Sequence, residues 1–184
     1  MRFVLLVWVL VASGCLSKRI HEEQSPKGNI FDFEELTNLL GKELGVVKNA
    51  TYTPDVLVRD TTLESEGVTW PGLVFYRNNR GIFLAETNWE RKQTISRVII
   101  IDSYVRSFSG IAVGSKFKDI RSGLSRSIPS YPDGYLGLQD INNPGVTYFF
   151  DVDPNSKEAF GDVTFDTIPG DLEVTQIFIE DAVR

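Results

Sequence analysis

From residue 56 onward, short segments of the chain alternate apolar with polar residues and are rich in β-branched and aromatic side chains. This period of two is typical of strands that bury one face of a sheet. The pattern predicts strands at 56–58, 68–70, 73–76, 82–85, 95–101, 146–152, 163–167 and 174–179, with a shorter one at 135–138. The segment Asn78-Asn79-Arg80-Gly81 predicts a hairpin turn, because asparagine and glycine tolerate positive φ. The unbroken apolar run 98–101 predicts a central strand covered on both faces.

Helical spacing is confined to two segments. The first, 32–44, has Asp32 as N-cap, Glu35 three residues later and Gly45 after its end. The second, 115–126, has Ser115 as N-cap. The predicted buried stripes are Phe33, Leu36, Leu39, Leu40 and Leu44, then Phe117, Ile120 and Leu124. Two helices are too few for a parallel doubly wound fold. We expect a single α+β domain, mainly an antiparallel twisted sheet with both helices packed on one side.

The first 14 residues resemble a bacterial lipoprotein signal peptide. Arg2 precedes ten apolar residues, 3–12, and two small residues then lead to Cys15. A helix needs about 20 apolar residues to span a bilayer, so this short run is typical of a cleaved export signal. The cysteine directly after Ala12-Ser13-Gly14 resembles a lipobox, in which diacylglycerol is attached to the sulfur. We expect Cys15 to be the lipidated N-terminus; the alternative is a secreted protein with an unmodified cysteine.

Acylation fixes where such a protein resides, because two or more acyl chains hold a protein stably on a membrane. Leu16 stands where, by resemblance to known sorting signals, an aspartate would retain a lipoprotein in the inner membrane. The outer membrane is therefore favoured in a host with two membranes. Residues 15–29 are charged and polar, which predicts a flexible tether, and residues 30–184 form the predicted domain.

Charge and rare residues exclude several function classes. The chain has 19 Lys and Arg against 25 Asp and Glu, so we expect no nucleic-acid partner. Cys15 is the only cysteine and His21 the only histidine, and both precede the domain. The domain therefore has no internal disulfide, no Ser-His-Asp or Cys-His catalytic set and no histidine-bound zinc. We expect no cofactor.

Two local features invite an anion-binding interpretation. Gly110 and Gly114 precede the second predicted helix, but the Gly-Lys-Ser/Thr sequence of a phosphate loop is missing, so a tight turn is the preferred interpretation. Four basic residues follow at spacings that favour a solvated helix face, namely Lys116, Lys118, Arg121 and Arg126.

Carboxylates are the remaining candidates for chemistry. Asp151 and Asp153 alternate along one predicted strand, so their carboxylates share a face, and Asp162 and Asp166 lie on what we expect to be the next strand. A glycan-acting enzyme would use such a pair of carboxylates, together with Asp102 or Glu86. Residues 151–162 also resemble a calcium loop, whose weak candidate ligands are Asp151, Asp153, Asn155 and Asp162. Ser156 replaces the turn glycine of that loop, and a polar hairpin is the preferred interpretation of the stretch.

One stretch resembles a known family. The sequence Ile95-Ser-Arg-Val-Ile-Ile-Ile-Asp102-Ser103, then Gly110-Ile-Ala-Val-Gly-Ser-Lys-Phe117-Lys-Asp119, is similar to a segment of the small sigma-E (RpoE)-regulated envelope lipoproteins, a family of unknown function. The later segments 146–149 and 172–178 resemble that family's closing strands. The resemblance spans about residues 70 to 180 and implies an envelope lipoprotein; it implies no catalytic residue.

Three functions stay open at this point. The first is a non-enzymatic binding or accessory domain, held on the membrane by its lipid, that binds an envelope protein, a lipid or a cell-wall component. The second is a glycan-acting enzyme with paired carboxylates. The third is a small-ligand or cation sensor based on the loop that begins at Asp151.

Overall fold

The computed structural model describes residues 31–126, 135–151 and 164–180. Within these ranges the chain forms one seven-stranded sheet in the order β1-β2-β3-β4-β7-β6-β5. Each neighbouring pair of strands is antiparallel, which confirms the predicted antiparallel sheet. The strands are β1 Val56–Ser65, β2 Val68–Arg77, β3 Arg80–Glu86, β4 Arg97–Ile100, β5 Tyr135–Gln139, β6 Val146–Asp151 and β7 Val174–Glu180.

Two tight turns connect the first three strands. Asn78 and Asn79 have φ values of 50° and 63° between the paired residues Arg77 and Arg80, so the predicted hairpin turn is confirmed. Glu66 and Gly67, at 51° and 78°, make the same kind of turn between β1 and β2. Two positive φ values in a two-residue loop match the right-handed twist of the flanking strands.

Both predicted helices are wrong in extent. The segment 32–44 contains only α1, Phe33–Thr37, and a second helix, α2, follows at Leu44–Lys48. The capping box between Asp32 and Glu35 is present, with bonds of 2.7 and 3.1 Å. The helix stops because Gly41 turns with a φ of 76° and its N–H donates to the carbonyl of Ile95 at 2.8 Å. Gly45, predicted to end the helix, lies inside α2.

The segment 115–126 contains α3, Phe117–Ile120, and a 3₁₀ turn at Arg121–Gly123. The predicted N-cap is also wrong, since α3 begins after Lys116. The hydroxyl of Ser115 instead accepts a hydrogen bond from the N–H of Ala112 at 3.1 Å. Ser115 and Phe117 form backbone hydrogen bonds with Val174 and Leu172, so Lys116 is extended and the helix starts only at Phe117.

One predicted strand is not formed. Residues 164–167 make a turn, in which the N–H of Thr167 donates to the carbonyl of Thr164 at 2.9 Å. Two predicted strands, 68–70 and 73–76, are a single strand that runs through Pro71, and β1 is longer than predicted. β4 is the middle strand of seven, as the apolar run 98–101 predicts.

The core lies on one face of the sheet. One register row crosses all seven strands with apolar or aromatic side chains: Val58, Phe75, Phe83, Ile100, Ile177, Tyr148 and Leu138. The rings of Phe75 and Phe83 stack with centroids 4.1 Å apart. Side chains from the helices and connections, among them Phe33, Leu36 and Phe117, belong to the same buried cluster.

Candidate functional site

The other face of the sheet is also apolar. We call it the open face and define it by ten side chains that alternate with the core residues along their strands: Leu57, Leu63, Trp70, Val74, Tyr76, Leu84, Ile99, Ile101, Phe149 and Phe178. None of them belongs to the buried core cluster. Leu57 and Ile101 are exposed, Ile99 is buried and the rest are half-buried. Val98, Ile99 and Ile100 of β4 are all buried, as the predicted cover on both faces requires, and Ile101 after the strand is exposed.

Rings and guanidinium groups organise this face. The rings of Phe149 and Phe178 lie with centroids 4.2 Å apart. The guanidinium of Arg97 lies over the ring of Phe178 at 5.1 Å, and that of Arg59 lies over the ring of Tyr76 at 5.2 Å. Because such cations keep part of their hydration while they cover a ring, the face is apolar in its middle and polar where the arginines lie.

A cluster of charged groups borders the open face where β3 ends. Glu86, Arg97 and Glu180 follow one another across β3, β4 and β7. The Nη1 atom of Arg97 lies 3.0 Å from Glu86 Oε1, its Nε contacts Glu180, and the indole N–H of Trp70 donates to Glu86 Oε2 at 3.2 Å. Burial raises the pKa of Glu86 above its ordinary value, although Arg97 and Trp70 oppose that rise.

Asp102 lies at the opposite end of the sheet from Glu86. Its carboxylate is fully buried, accepts the N–H of Tyr104 at 3.1 Å and contacts the guanidinium of Arg80. Arg80 and Glu86 are the first and last residues of β3, about 20 Å apart at the rise of a strand. The structure therefore does not bring Asp102 and Glu86 together as a carboxylate pair.

The remaining sequence candidates are dispersed or outside the described residues. Asp151 is exposed at the end of β6, and Asp166 lies in the turn after residue 163. Residues 31–126, 135–151 and 164–180 contain no group of three or more Asp, Glu, His or Cys side chains placed to hold a metal. The candidates that lie outside those ranges are Cys15, His21, Asp153, Asn155 and Asp162.

The predicted basic face is not a free anion site. Arg126 lies 2.7 Å from Asp166 Oδ2, and Arg121 contacts Oδ1 of the same carboxylate. Both guanidinium groups lie 5.2 Å from the centre of the Phe165 ring. Asp166 and the ring of Phe165 thus contact both Arg121 and Arg126, the two arginines of the predicted solvated face.

A buried polar network was not predicted. Asp140 accepts hydrogen bonds at Oδ2 from Tyr148 at 2.8 Å and Ser109 at 2.6 Å, and at Oδ1 from the N–H groups of Asn142 and Asn143. The Tyr148 hydroxyl also lies 2.8 Å from Ser107 Oγ. An Asp-x-Asn-Asn sequence before a strand is a turn signal, but nothing local pairs it with residues 107–109.

Electrostatics fix the role of this network. Burial raises the pKa of Asp140, but the hydrogen bonds from Ser109, Tyr148 and the Asn142 backbone outweigh it, so the pKa lies below its ordinary value. Burial raises the pKa of Tyr148, and Asp140 raises it further. A carboxylate with a lowered pKa is a poor proton acceptor, and Asp140 serves as a fixed acceptor that ties residues 107–109 to the turn before β6.

Comparisons with known proteins support the fold. No protein-family model matches the sequence, and no curated protein is significantly similar to it. The structure is similar to the crystal structure of the uncharacterized protein YfeY from Escherichia coli, with a TM-score of 0.53 and 14% sequence identity. The similarity covers 77% of this chain and 90% of that one. At 14% sequence identity the similarity to YfeY establishes a shared fold.

No helix in the described part of this chain is both long and apolar enough to cross a bilayer.

Proposed function

We propose that this protein is an envelope lipoprotein, acylated at Cys15, whose domain is a non-enzymatic binding module that uses the open face of its sheet. The open face carries the proposal. Nine of its ten apolar or aromatic side chains are exposed or half-buried on one side of the sheet, and contiguous apolar patches mark interaction sites.

The core face of the sheet supports the choice of the open face as the binding surface. Phe33 and Leu36 of α1 and Val47 of α2 join the buried core, which fits helical segments on the core side of the sheet alone. The charged groups near the open face are already committed to each other, since Arg97 contacts both Glu86 and Glu180. Both oxygens of Glu86 are engaged, Oε1 by Arg97 and Oε2 by the indole N–H of Trp70.

The sequence supports the anchor. The apolar run 3–12 ends in Ala12-Ser13-Gly14-Cys15, and the polar residues 16–29 separate that cysteine from the domain. A diacylglyceryl group there would hold the module on the membrane stably. A fixed location makes a binding module effective even when its intrinsic affinity is modest, because partners on the same membrane meet at high effective concentration.

One experiment separates the anchor from the binding surface. Four full-length chains are expressed with export to the bacterial envelope: wild type, Cys15→Ser, Leu57→Glu/Ile101→Glu and Val46→Glu. The cells are treated with an amine cross-linker, and membrane and soluble fractions are then separated. Leu57 and Ile101 are exposed on the open face, whereas Val46 is an exposed apolar residue of α2. We expect Cys15→Ser to leave the membrane fraction. Leu57→Glu/Ile101→Glu should stay on the membrane and lose cross-linked species that Val46→Glu retains.

Either half of that result can contradict the proposal. A Cys15→Ser chain that still fractionates with membranes overturns the anchor. Cross-linked species that survive both glutamates on the open face, while folding is intact by circular dichroism, overturn the binding surface.

A further inference from the structure

We infer that a polar cleft, formed where β4 begins and β7 ends, is a second binding site and takes a saccharide that bears a carboxylate. The cleft has a volume of about 440 Å³, within the range of small-molecule sites. None of the ten side chains of the open face lines it, so the inference does not rest on the proposed function. Six polar residues line it: Asn88, Arg91, Thr94, Ser96, Arg97 and Glu180.

Backbone hydrogen bonds hold the loop 87–96, which forms one wall of the cleft. The N–H of Gly41 donates to the carbonyl of Ile95 at 2.8 Å, and the N–H of Leu44 donates to the carbonyl of Gln93 at 2.8 Å. The loop is thus tied to the segment between α1 and α2 and to the start of α2. Because these bonds fix the wall in advance, a ligand would bind at a low cost in conformational entropy.

The polar side chains of this wall have hydrogen-bonding capacity to spare. Within residues 31–126, 135–151 and 164–180, no protein group is bonded to the hydroxyl of Thr94 or the amide nitrogen of Asn88. Both residues are half-buried, so their polar groups are partly shielded from water. Glu180 is 44% exposed and adds acceptor oxygens. Closely spaced donors and acceptors of this kind match the adjacent hydroxyls of a sugar ring.

Arg91 supplies the charge that selects an acidic sugar. The charge of Arg97 is balanced by Glu86 and Glu180, which it contacts. Arg91 is exposed and forms no ion pair with any residue that the structure describes. A guanidinium binds a carboxylate through two parallel N–H donors. Because Glu180 lines the same cleft, a singly charged carboxylate is favoured over a doubly charged phosphate.

An exposed indole belongs to the same loop. Trp89 directly follows Asn88, and 60% of its surface is exposed. A pyranose is polar at its hydroxyls and apolar on the face formed by its C–H groups, and an indole likewise combines a flat apolar ring with one N–H donor. Trp89 therefore offers stacking area to a sugar whose hydroxyls bind in the cleft.

The test uses the full chain carrying Cys15→Ser and three probes that separate the ring from the charge. Methyl β-D-glucuronide has both, methyl β-D-glucoside lacks the carboxylate, and acetate lacks the ring. Titrations followed by ligand-detected NMR give the Kd of each. We expect the glucuronide to bind about tenfold more tightly than the glucoside, and acetate to show no saturable binding.

Substitutions assign the binding to the cleft. Arg91→Gln should weaken glucuronide binding about tenfold and leave glucoside binding unchanged, whereas Trp89→Ala should weaken both. Lys92→Gln is the matched control, because Lys92 is the neighbouring cation and does not line the cleft. All three positions are exposed, so thermal melts of the variants should match that of the parent chain.

Several results would contradict the inference. A chain that binds neither sugar, or a glucuronide affinity that Arg91→Gln leaves unchanged, overturns it. Equal affinities for glucuronide and acetate also overturn it, because they would show a bare anion site. Leu57→Glu/Ile101→Glu should leave glucuronide binding unchanged, and a loss there would assign the sugar to the open face instead of the cleft.

Discussion

The hydroxyl of Tyr148 lies 2.8 Å from Oδ2 of Asp140, and both side chains are almost completely buried. Tyr148 is a core residue of β6, and Asp140 follows β5 in the turn that leads to β6. Ser109 reaches the same carboxylate oxygen at 2.6 Å from the long connection after β4. One carboxylate thus fastens a loop to the sheet without help from a disulfide.

Tyr148→Phe should destabilise the fold. The substitution keeps the ring and removes one donor from a buried carboxylate, and a hydrogen bond to a charged group contributes about 1.5–3 kcal/mol. We expect a loss of about 2 kcal/mol in the free energy of unfolding, measured from the urea midpoint at unchanged slope. Tyr104→Phe is the matched control, because Tyr104 is largely exposed and should change stability by less than about 0.5 kcal/mol. A Tyr148→Phe chain as stable as the control would contradict this role of the network.

Asp140 should make the fold sensitive to acid. Its pKa is lower in the folded protein than in the unfolded chain, so the folded state favours the ionised form. The resulting stabilisation is fully present above the unfolded value of about 3.9 and is lost as pH falls through the lower folded value. Urea titrations from pH 6 down to pH 3 should show this loss in the wild type. Asp140→Asn should be less stable at pH 6 and should lose less stability on acidification; a parallel loss in both proteins would exclude Asp140 as the cause.

Glu86 should have the opposite pH dependence. Burial raises its pKa in the folded protein, so folding favours the protonated form and the free energy of unfolding decreases as pH rises through the folded pKa. The stability of Glu86→Gln relative to wild type should therefore increase as pH rises from about 4 to 7. Glu90→Gln, at an exposed position, provides the control. A stability difference that does not change with pH would show that Glu86 is not destabilised by its burial.

Two ion pairs should differ in their contribution to stability. Asp102 is fully buried, and Arg80 is its counter-ion, whereas Lys48 and Asp60 form a 2.6 Å pair on the surface. Removing one member of a buried pair leaves an uncompensated charge, but Arg80 is itself largely exposed, so water replaces part of the interaction. We expect Arg80→Ala to cost about 1–3 kcal/mol and Lys48→Ala less than about 1 kcal/mol in urea unfolding. Equal costs would mean that Asp102 does not depend on Arg80.

Gly72→Ala should be poorly tolerated on β2. Its Cβ would lie 2.7 Å from Leu63 Cδ1 and 3.1 Å from the carbonyl oxygen of Ala85, and a backbone oxygen cannot move aside cheaply. Overpacking of this kind costs about 1–3 kcal/mol. Gly45→Ala is the matched control, since nothing lies within 4 Å of its Cβ and it belongs to α2, where alanine is preferred by about 0.5–1 kcal/mol. Thermal melts of the two variants should shift in opposite directions.

Local signals explain which elements were predictable. The turn at Asn78 and Asn79 and the central position of β4 follow from residues that are adjacent in sequence, and both predictions are confirmed. The continuous helix 32–44 was wrong because Gly41 bonds to Ile95, about fifty residues away. The predicted strand 163–167 was wrong because the side chain of Thr167 closes a turn on Thr164. Propensity cannot reveal such pairings before the fold is known.

The candidate site was harder to predict than the sheet. Strands β2 and β4 are apolar on both sides, a pattern that sequence reasoning interprets as burial between two layers. Whether the second side is covered depends on the rest of the chain, and the open face emerged only from the register of β1 to β7. The Asp140 network was missed for a similar reason, because its members are separated by about 30 to 40 residues.

Mass spectrometry of the intact protein extracted from membranes would show whether Cys15 carries the proposed lipid. The mature chain should begin at Cys15 and carry the added mass of a diacylglyceryl group on that residue, and Cys15→Ser should yield no such species. A mature chain that begins elsewhere, or a Cys15 whose thiol is free, would contradict the proposed anchor and the membrane-bound module that depends on it.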